Sequence, residues 1–196
     1  MKIIPIFAPY LYAIAYPREF KIVWNEEMYN YFEEDEIGKI DEFQRLFTLW
    51  SNPRYLYDFF KDNAHYLNAE YWLHNKNQFT NLPKSTKNKA RKFEETIVTQ
   101  IRNLDKLFQP LDDNITVPPN VSNTKSKYGW LRVYAINIDE NKYLVTGGAI
   151  KLTKEMKDHP MTKTELKKME IVRNFLIERC IIDSDSYEDY LYELTI

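Results

Sequence analysis

The feature that most constrains the fold is a β-hairpin pattern in the second half of the chain. The run WLRVYAINID at 130–139 ends in Asp139, which forms a turn signal with Glu140 and Asn141, and KYLVTGGAIKL follows at 142–152. Runs rich in β-branched and aromatic residues on either side of turn formers predict two antiparallel strands. Both runs are apolar on both faces over several positions, as expected of central strands that are covered on each side.

The first half of the chain carries strand and helix patterns. The apolar residues 3–16 predict one long or two short strands. The run DEFQRLFTLW from Asp41 predicts a helix, because its apolar residues recur at i, i+3, i+4 and i+7. Asn52 and Pro53 then predict the start of a second helix, since asparagine is a frequent N-cap and proline fits the first helical position.

The second half adds a basic helix, a loop and two further helices. A long helix is predicted over 85–108, and its first turns are rich in Lys and Arg. Three prolines and many small polar residues predict a long loop over 109–128. Thr162 and Glu165 form a capping-box pattern, which predicts the start of a helix after the hairpin. Residues 183–194 predict a short helix that docks on the rest of the domain.

Composition limits the classes of protein that fit. The chain has 196 residues, of which 44% are hydrophobic and 29% charged, as in ordinary globular domains. Cys180 is the only cysteine, so no intrachain disulfide can form, and this favours a reducing compartment. The apolar N-terminus is too short to span a membrane and is interrupted by Pro5 and Pro9. We therefore expect a cytoplasmic protein that does not associate with membranes.

The charge of the chain is unevenly distributed. The formal net charge is −2, which by itself disfavours a non-specific nucleic-acid binder. Residues 84–132, however, hold 10 basic and 5 acidic side chains, and residues 151–173 hold 7 and 4. These two basic stretches flank the central hairpin and favour a polyanion site there, although solvated helix faces are the commoner explanation of such runs.

Several familiar catalytic motifs are absent from the sequence. It contains no GxGxxG, P-loop, HExxH, CxxC or GxSxG pattern. The three histidines, at 65, 74 and 159, are scattered, and with one cysteine they do not form a usual zinc site. We therefore expect neither a metal nor a cofactor.

The basic end of the hairpin is the strongest candidate site. In an antiparallel hairpin, Arg132 of the first strand and Lys151 at the end of the second lie near the same end of the ladder, and Lys154 follows. Metal-free RNA cleavage needs a base for the 2′-hydroxyl, a cation on the phosphate and a proton for the leaving oxygen. Arg132, Lys151 and Lys154 are thus candidate catalytic residues. The candidate RNA-binding residues are Thr153, Lys157, His159, Lys89 and Arg91. The alternative is a solvent-facing Lys/Thr turn with Arg132 paired to a carboxylate.

A resemblance to a known family rests on four features in order. They are a basic helix ending LDKLFQPL, a loop, the strand WLRVYAINID, and the strand with its tail KYLVTGGAIKLTKEMKDHPMTKTEL. Over residues 95–176 this pattern resembles the RelE/HigB-like toxin superfamily of toxin–antitoxin systems. The resemblance implies a single α+β domain over 1–196, with a small twisted antiparallel sheet, packed helices and a large helical insertion after the first strand. That insertion would be residues 17–90, mostly helical and rich in aromatic side chains.

The same resemblance implies a function. It is that of a toxin-type, metal-independent mRNA endoribonuclease, with mRNA or the ribosome as its target and a small helix-turn-helix antitoxin as its protein partner. Arg132 would contact the scissile phosphate, and Lys151 and Lys154 would bind phosphate or assist proton transfer. Thr153 would contact the RNA backbone.

An alternative of a different class stays open at this point. The chain would then be a catalytically silent protein-interaction domain on the same fold. Residues 19–83 carry many aromatic side chains, among them Trp50, Tyr55 and Tyr57, which would form a protein-binding surface.

Overall fold

The computed structural model describes residues 1–17, 20, 31–32, 39–68, 81–111 and 121–193. The predicted α+β class is confirmed, and the strands form one six-stranded sheet. The strands are β1 (Lys2–Phe7), β2 (Leu11–Ala15), β3 (Gln109–Pro110), β4 (Ser122–Tyr128), β5 (Leu131–Asp139) and β6 (Lys142–Ile150). The α-helices are α1 (Glu42–Ser51), α2 (Pro53–Asp62), α3 (Leu82–Thr99), α4 (Pro160–Glu178) and α5 (Ser184–Glu193).

The sheet is mixed. Its strand order is β1-β2-β6-β5-β4-β3, and every neighbouring pair is antiparallel except β2 and β6, which are parallel. The parallel register joins Leu11 to Tyr143 and Ala13 to Val145. β6 continues to Ile150, beyond the end of that register. The predicted hairpin is the pair β5–β6, at the centre of the sheet.

Helices cover both faces of the sheet. Alternate residues of β5 show this, because Val133 packs in a core cluster with α1, α2 and α3, whereas Ile136 packs in a second cluster with α4 and α5. Tyr134 belongs to a third, smaller cluster that includes Met169 of α4. Even-numbered residues of β5 therefore face α4, and odd-numbered residues face α1 to α3.

The first two helices form where the sequence predicts them. The side chain of Asp41 accepts a hydrogen bond from the N–H of Gln44, and Asn52 caps α2 by accepting from Arg54 and Tyr55. Trp50 and Tyr55, at 1% and 4% exposure, are core side chains. They therefore do not supply the aromatic binding surface of the alternative interpretation. Tyr57 is 63% exposed.

Three expectations need correction. The helix predicted over 85–108 is α3 followed by a 3₁₀ segment over Ile101–Lys106, and its capping residue is Asn81. The segment predicted as a loop over 109–128 contains the strands β3 and β4. The capping box at Thr162 does not form, because His159 caps α4 and the Thr162 hydroxyl donates to the carbonyls of Met156 and His159.

Parts of the predicted insertion lie within the described residues. Helices α1 and α2 and the start of α3 fall in 17–90 and pack on the sheet as part of one apolar core. Residues 18–19, 21–30, 33–38 and 69–80 of the predicted insertion lie outside the described residues. Within the part of the chain that the structure describes, no helix is both long enough and apolar enough to cross a membrane.

Candidate functional site

An open cleft lies over strands β4 and β5, on the face of the sheet that carries α4. Its volume is about 520 Å³. The cationic side chains that line it are Lys125, Lys127, Arg132, Lys151 and Lys157. The structure therefore brings together Arg132 and Lys151, two of the three predicted catalytic residues, and Lys157, a predicted RNA contact.

The strand register places these cations on one face. Lys125 lies opposite Tyr134, and Lys127 lies opposite Arg132, in the antiparallel pair β4–β5. Since successive side chains alternate between faces, all four residues share the face that carries α4. Gly129, which has a φ of 58°, occupies the two-residue turn between the strands, where a left-handed residue is needed.

Arg132 is held by backbone carbonyls. Its Nη1 donates to the carbonyl oxygens of Gly129 and Leu131, at 2.7 and 2.8 Å. Among the described residues, no carboxylate lies within 4.0 Å of its guanidinium. A guanidinium fixed in this way keeps most of its donors for an anionic ligand.

Lys151 extends the hairpin into the cleft. Its backbone N–H donates to the carbonyl of Trp130 at 2.8 Å, which continues the ladder one residue past β6. Burial lowers the pKa of its ammonium, and the positive charges of Arg132 and Lys125 lower it further. Lys151 therefore gives up a proton more readily than an ordinary lysine, as a general base requires.

The tail after Lys151 supplies the rim of the cleft. Lys157 pairs with Glu155 at 2.8 Å, and both side chains are exposed. The hydroxyl of Thr153 donates to the carbonyl of Glu155 at 2.7 Å, which folds the tail on itself. Lys154 is exposed and is not among the described residues that line the cleft. The structure thus separates Lys154 from the two catalytic candidates with which it was grouped.

His159 is placed differently from the prediction. Its side chain is buried, with 4% exposure, and its Nδ1 accepts a hydrogen bond from the N–H of Met161 at 3.2 Å. With Nδ1 as acceptor, Nε2 donates to Oδ1 of Asn63 at 3.0 Å. Burial lowers the pKa of His159, and the charge of His65 lowers it further. The ring caps helix α4, and His159 is not among the described residues that line the cleft.

The two predicted contacts on α3 lie outside the cleft. The Nζ of Lys89 lies 4.8 Å from the ring centroid of Trp130, beside the β4–β5 turn, in a cation–π contact. Arg91 is exposed, and its Nε lies 3.8 Å from Oε1 of Glu95, four residues further along the helix. Neither side chain is among the described residues that line the cleft.

A second group of charges is buried beside the end of the β2–β6 register. Arg45 of α1 donates to both carboxylate oxygens of Glu42, at 2.8 and 2.6 Å. Lys168 of α4 donates to Oε2 of Glu42 at 3.1 Å and to Oε1 of Glu165 at 3.0 Å. We call these four residues the buried charge cluster. It joins helices from opposite faces of the sheet.

The pKa values of the two carboxyl groups in the buried charge cluster are shifted in opposite directions. Burial raises the pKa of Glu165, and the neighbouring charge of Glu42 adds to the effect. Burial also acts on Glu42, but the charges of Arg45 and Lys168 outweigh it and hold that pKa below its ordinary value. The Oε2 of Glu165 is buried and has no hydrogen-bond partner among the described residues.

Room for this cluster comes from Gly147. A Cβ at this position would lie 1.8 Å from Oε2 of Glu165 and 3.2 Å from Oε2 of Glu42. Because Gly147 is the cross-strand partner of Tyr134, the Glu165 carboxyl lies next to the wall of the cleft. The β5–β6 register also shifts here, since Tyr134 pairs with Gly147 and Ala135 with Val145, so an irregularity of the ladder lies beside this close approach.

Sequence reasoning missed Lys125 and Lys127, which fall in the segment predicted to be a loop. The only signal for them is the polar alternation in SNTKSKY, residues 122–128. The described residues contain no group of three or more His, Cys, Asp or Glu placed to hold a metal ion. In comparisons with known proteins, no family model, no curated protein and no solved structure matches this chain.

Proposed function

We propose that this chain is a toxin-type mRNA endoribonuclease of the RelE/HigB kind, whose own side chains cleave the phosphodiester. The observation that carries the proposal is the convergence of five basic side chains around one open cleft, with an arginine that has no carboxylate partner among the described residues. Glu155 also lines the cleft and pairs with Lys157. Such a set suits a polyanion and, in particular, a phosphate whose charge increases in the transition state.

The chemistry assigns a role to three residues. Neutral Lys151 takes the proton from the 2′-hydroxyl, and its lowered pKa favours the neutral form that this step needs. The 2′-oxygen then forms a bond to phosphorus while the bond to the 5′-oxygen breaks. Arg132 stabilises the pentacovalent phosphorane, and the ammonium of Lys127, its cross-strand neighbour, gives a proton to the leaving 5′-oxygen. The products are a 2′,3′-cyclic phosphate and a free 5′-hydroxyl.

The biological setting follows from the resemblance and is part of the proposal. The target would be mRNA, either free or on the ribosome. A small helix-turn-helix antitoxin would neutralise the protein, and an adjacent short reading frame that encodes such a protein would support this pairing.

Inducible expression in bacteria tests the proposal. We expect the wild-type protein to arrest growth, and Arg132→Ala and Lys151→Ala each to abolish the arrest. Lys154→Ala is the matched control, because it removes the same kind of charge from an exposed position outside the cleft. Purified wild-type protein should cleave RNA and leave 2′,3′-cyclic phosphate ends.

Two results would contradict the proposal. One is unimpaired growth at high levels of soluble, folded wild-type protein together with no RNA cleavage in vitro. The other is a Lys154→Ala variant that loses activity as completely as Lys151→Ala, since the cleft geometry gives Lys154 no catalytic part.

A further inference from the structure

Besides its cationic wall, the cleft has an apolar part. Three apolar side chains line it, Leu111, Met156 and Leu166, which we call the apolar shelf, and it adjoins the cationic wall where Lys125 donates to the carbonyl of Leu111 at 3.4 Å. All three are partly buried and pack against a small core cluster formed by Tyr134, Ala149 and Met169.

Separate elements hold the shelf in place. Leu111 follows β3, and its N–H donates to the carbonyl of Asn123 on β4 at 2.9 Å. Met156 begins the 3₁₀ turn after the tail, and its carbonyl accepts from the hydroxyl of Thr162 at 2.5 Å. Leu166 lies on α4. The shelf is therefore set by the fold and does not depend on a single mobile loop.

The cationic wall and the apolar shelf together describe the ligand. A group that contacts both has an anionic part next to a flat or apolar part, and the cleft of about 520 Å³ lies within the range of about 300–1,000 Å³ that is usual for small-molecule sites. A nucleotide has this character, with a phosphate next to a base whose faces are apolar. The Met156 thioether is polarisable and adapts its shape, so it suits contact with any base.

We propose that the apolar shelf binds one nucleobase of single-stranded RNA while the cationic wall holds the neighbouring phosphate. This inference rests on the proposed function and adds the class of substrate to it. A base inside a duplex is stacked and paired, so its face cannot reach the shelf, and the substrate must be unpaired at the cleavage point. Contact with the face of a base, without contact to its edge, tolerates all four bases.

Binding to two uncleavable ligands tests the shelf. One is a pentamer of 2′-O-methyl nucleotides, and the other is an abasic pentamer with the same number of phosphates. We expect the wild type to bind the base-bearing pentamer at least about fivefold more tightly, the lower end of what contact with one base provides. Fluorescence anisotropy at one fixed salt concentration measures both affinities.

Three variants locate the effect. Met156→Ala should reduce the preference for the base-bearing pentamer to less than twofold and leave affinity for the abasic pentamer unchanged. Met161→Ala is the matched control, because Met161 packs on the same core cluster but does not line the cleft. It should keep the wild-type preference. Lys127→Ala should weaken binding of both pentamers by the same factor.

The outcomes separate the two proposals. Equal affinity of the wild type for both pentamers would overturn the shelf and leave the phosphate site intact. If Met156→Ala keeps the wild-type preference for the base-bearing pentamer, the shelf is overturned and the phosphate site is left intact. If neither pentamer binds at low salt, the shelf and the RNA-cleaving function are overturned together. Because the preference is a ratio on one protein sample, a loss of folded protein lowers both affinities and does not imitate the expected result.

Discussion

Gly147→Ala tests whether Glu165 occupies the space above β6. The added Cβ would lie 1.8 Å from Oε2 and 2.9 Å from Cδ of Glu165, well inside van der Waals contact. The carboxyl group has little freedom to withdraw, since it is buried and its Oε1 is bound to Lys168 at 3.0 Å. The substitution must therefore displace Glu165 and strain or break this ion pair.

The structure allows the cost to be bracketed. Overpacking of a filled core costs about 1–3 kcal/mol, and a buried pair that is fully broken costs about 3–5 kcal/mol. The lower chain entropy of alanine in the unfolded state offsets about 0.4–1 kcal/mol. We expect Gly147→Ala to lower the free energy of unfolding by about 2–4 kcal/mol, with the pair strained but not fully lost.

Urea unfolding followed by tryptophan fluorescence measures this cost, because Trp50 and Trp130 are buried. In a Glu165→Ala background the two severe contacts are gone and only the 3.2 Å approach to Oε2 of Glu42 remains, so Gly147→Ala should cost less than about 1 kcal/mol there. The control is Ile97→Val on α3, which should cost about 0.5–1.5 kcal/mol in both backgrounds. If Gly147→Ala costs the same with and without the Glu165 side chain, the steric reasoning is refuted.

Two further predictions concern pH. Because the pKa of Glu165 is raised in the folded protein, the wild type should lose stability as pH rises from the unfolded glutamate pKa of about 4.3 toward the raised value. Glu165→Gln should lack this loss. Between pH 5 and pH 7.5, the urea midpoint of the wild type should therefore fall relative to the midpoint of the variant. An equal change of midpoint in both proteins would contradict this. For cleavage, the wild-type rate should rise with pH up to the lowered pKa of Lys151. Lys151→Arg should lose about a hundredfold or more in rate and should also lose this pH dependence, because arginine does not titrate in the range. If the rate of the variant rises with pH as steeply as that of the wild type, Lys151 is not the base.

Elements with a strong local pattern were predictable from the sequence. In each strand of the β5–β6 hairpin and in helices α1 and α2, the apolar spacing and the capping or turn residues lie within about ten residues. The antiparallel register of that hairpin was enough to place Arg132 beside Lys151. Local signals of this kind survive folding because burial and hydrogen bonding reinforce them.

Strand β4 could not be predicted, because its buried face is polar. Thr124 and Ser126 are buried at positions where a strand pattern normally shows apolar residues. The buried Thr124 hydroxyl donates to the carbonyl of Ala135 at 2.8 Å, so its need for a hydrogen-bond partner is met. The spacing of apolar residues in the sequence gives no sign of this bond. Because the strand was not predicted, Lys125 and Lys127 on its other face were not predicted as part of the site either.

The parallel pairing of β2 with β6 was hidden for a different reason. It joins residues about 130 positions apart, so no local pattern encodes it. The role of His159 was hidden in the same way, because its partner Asn63 lies 96 positions earlier. Contacts of long sequence separation decide which predicted side chains reach the cleft and which serve the fold.

Adjacent positions on α4 connect the buried charge cluster to the cleft. Glu165 faces Gly147 and Lys168, whereas Leu166, the next residue, lines the cleft as part of the apolar shelf. Since Lys168 also binds Glu42 of α1, the segment 17–90 contributes a helix that fixes the position of α4. That segment is therefore part of the framework of the candidate site, and a chain without it would leave Lys168 and Glu165 buried with an incomplete set of charges.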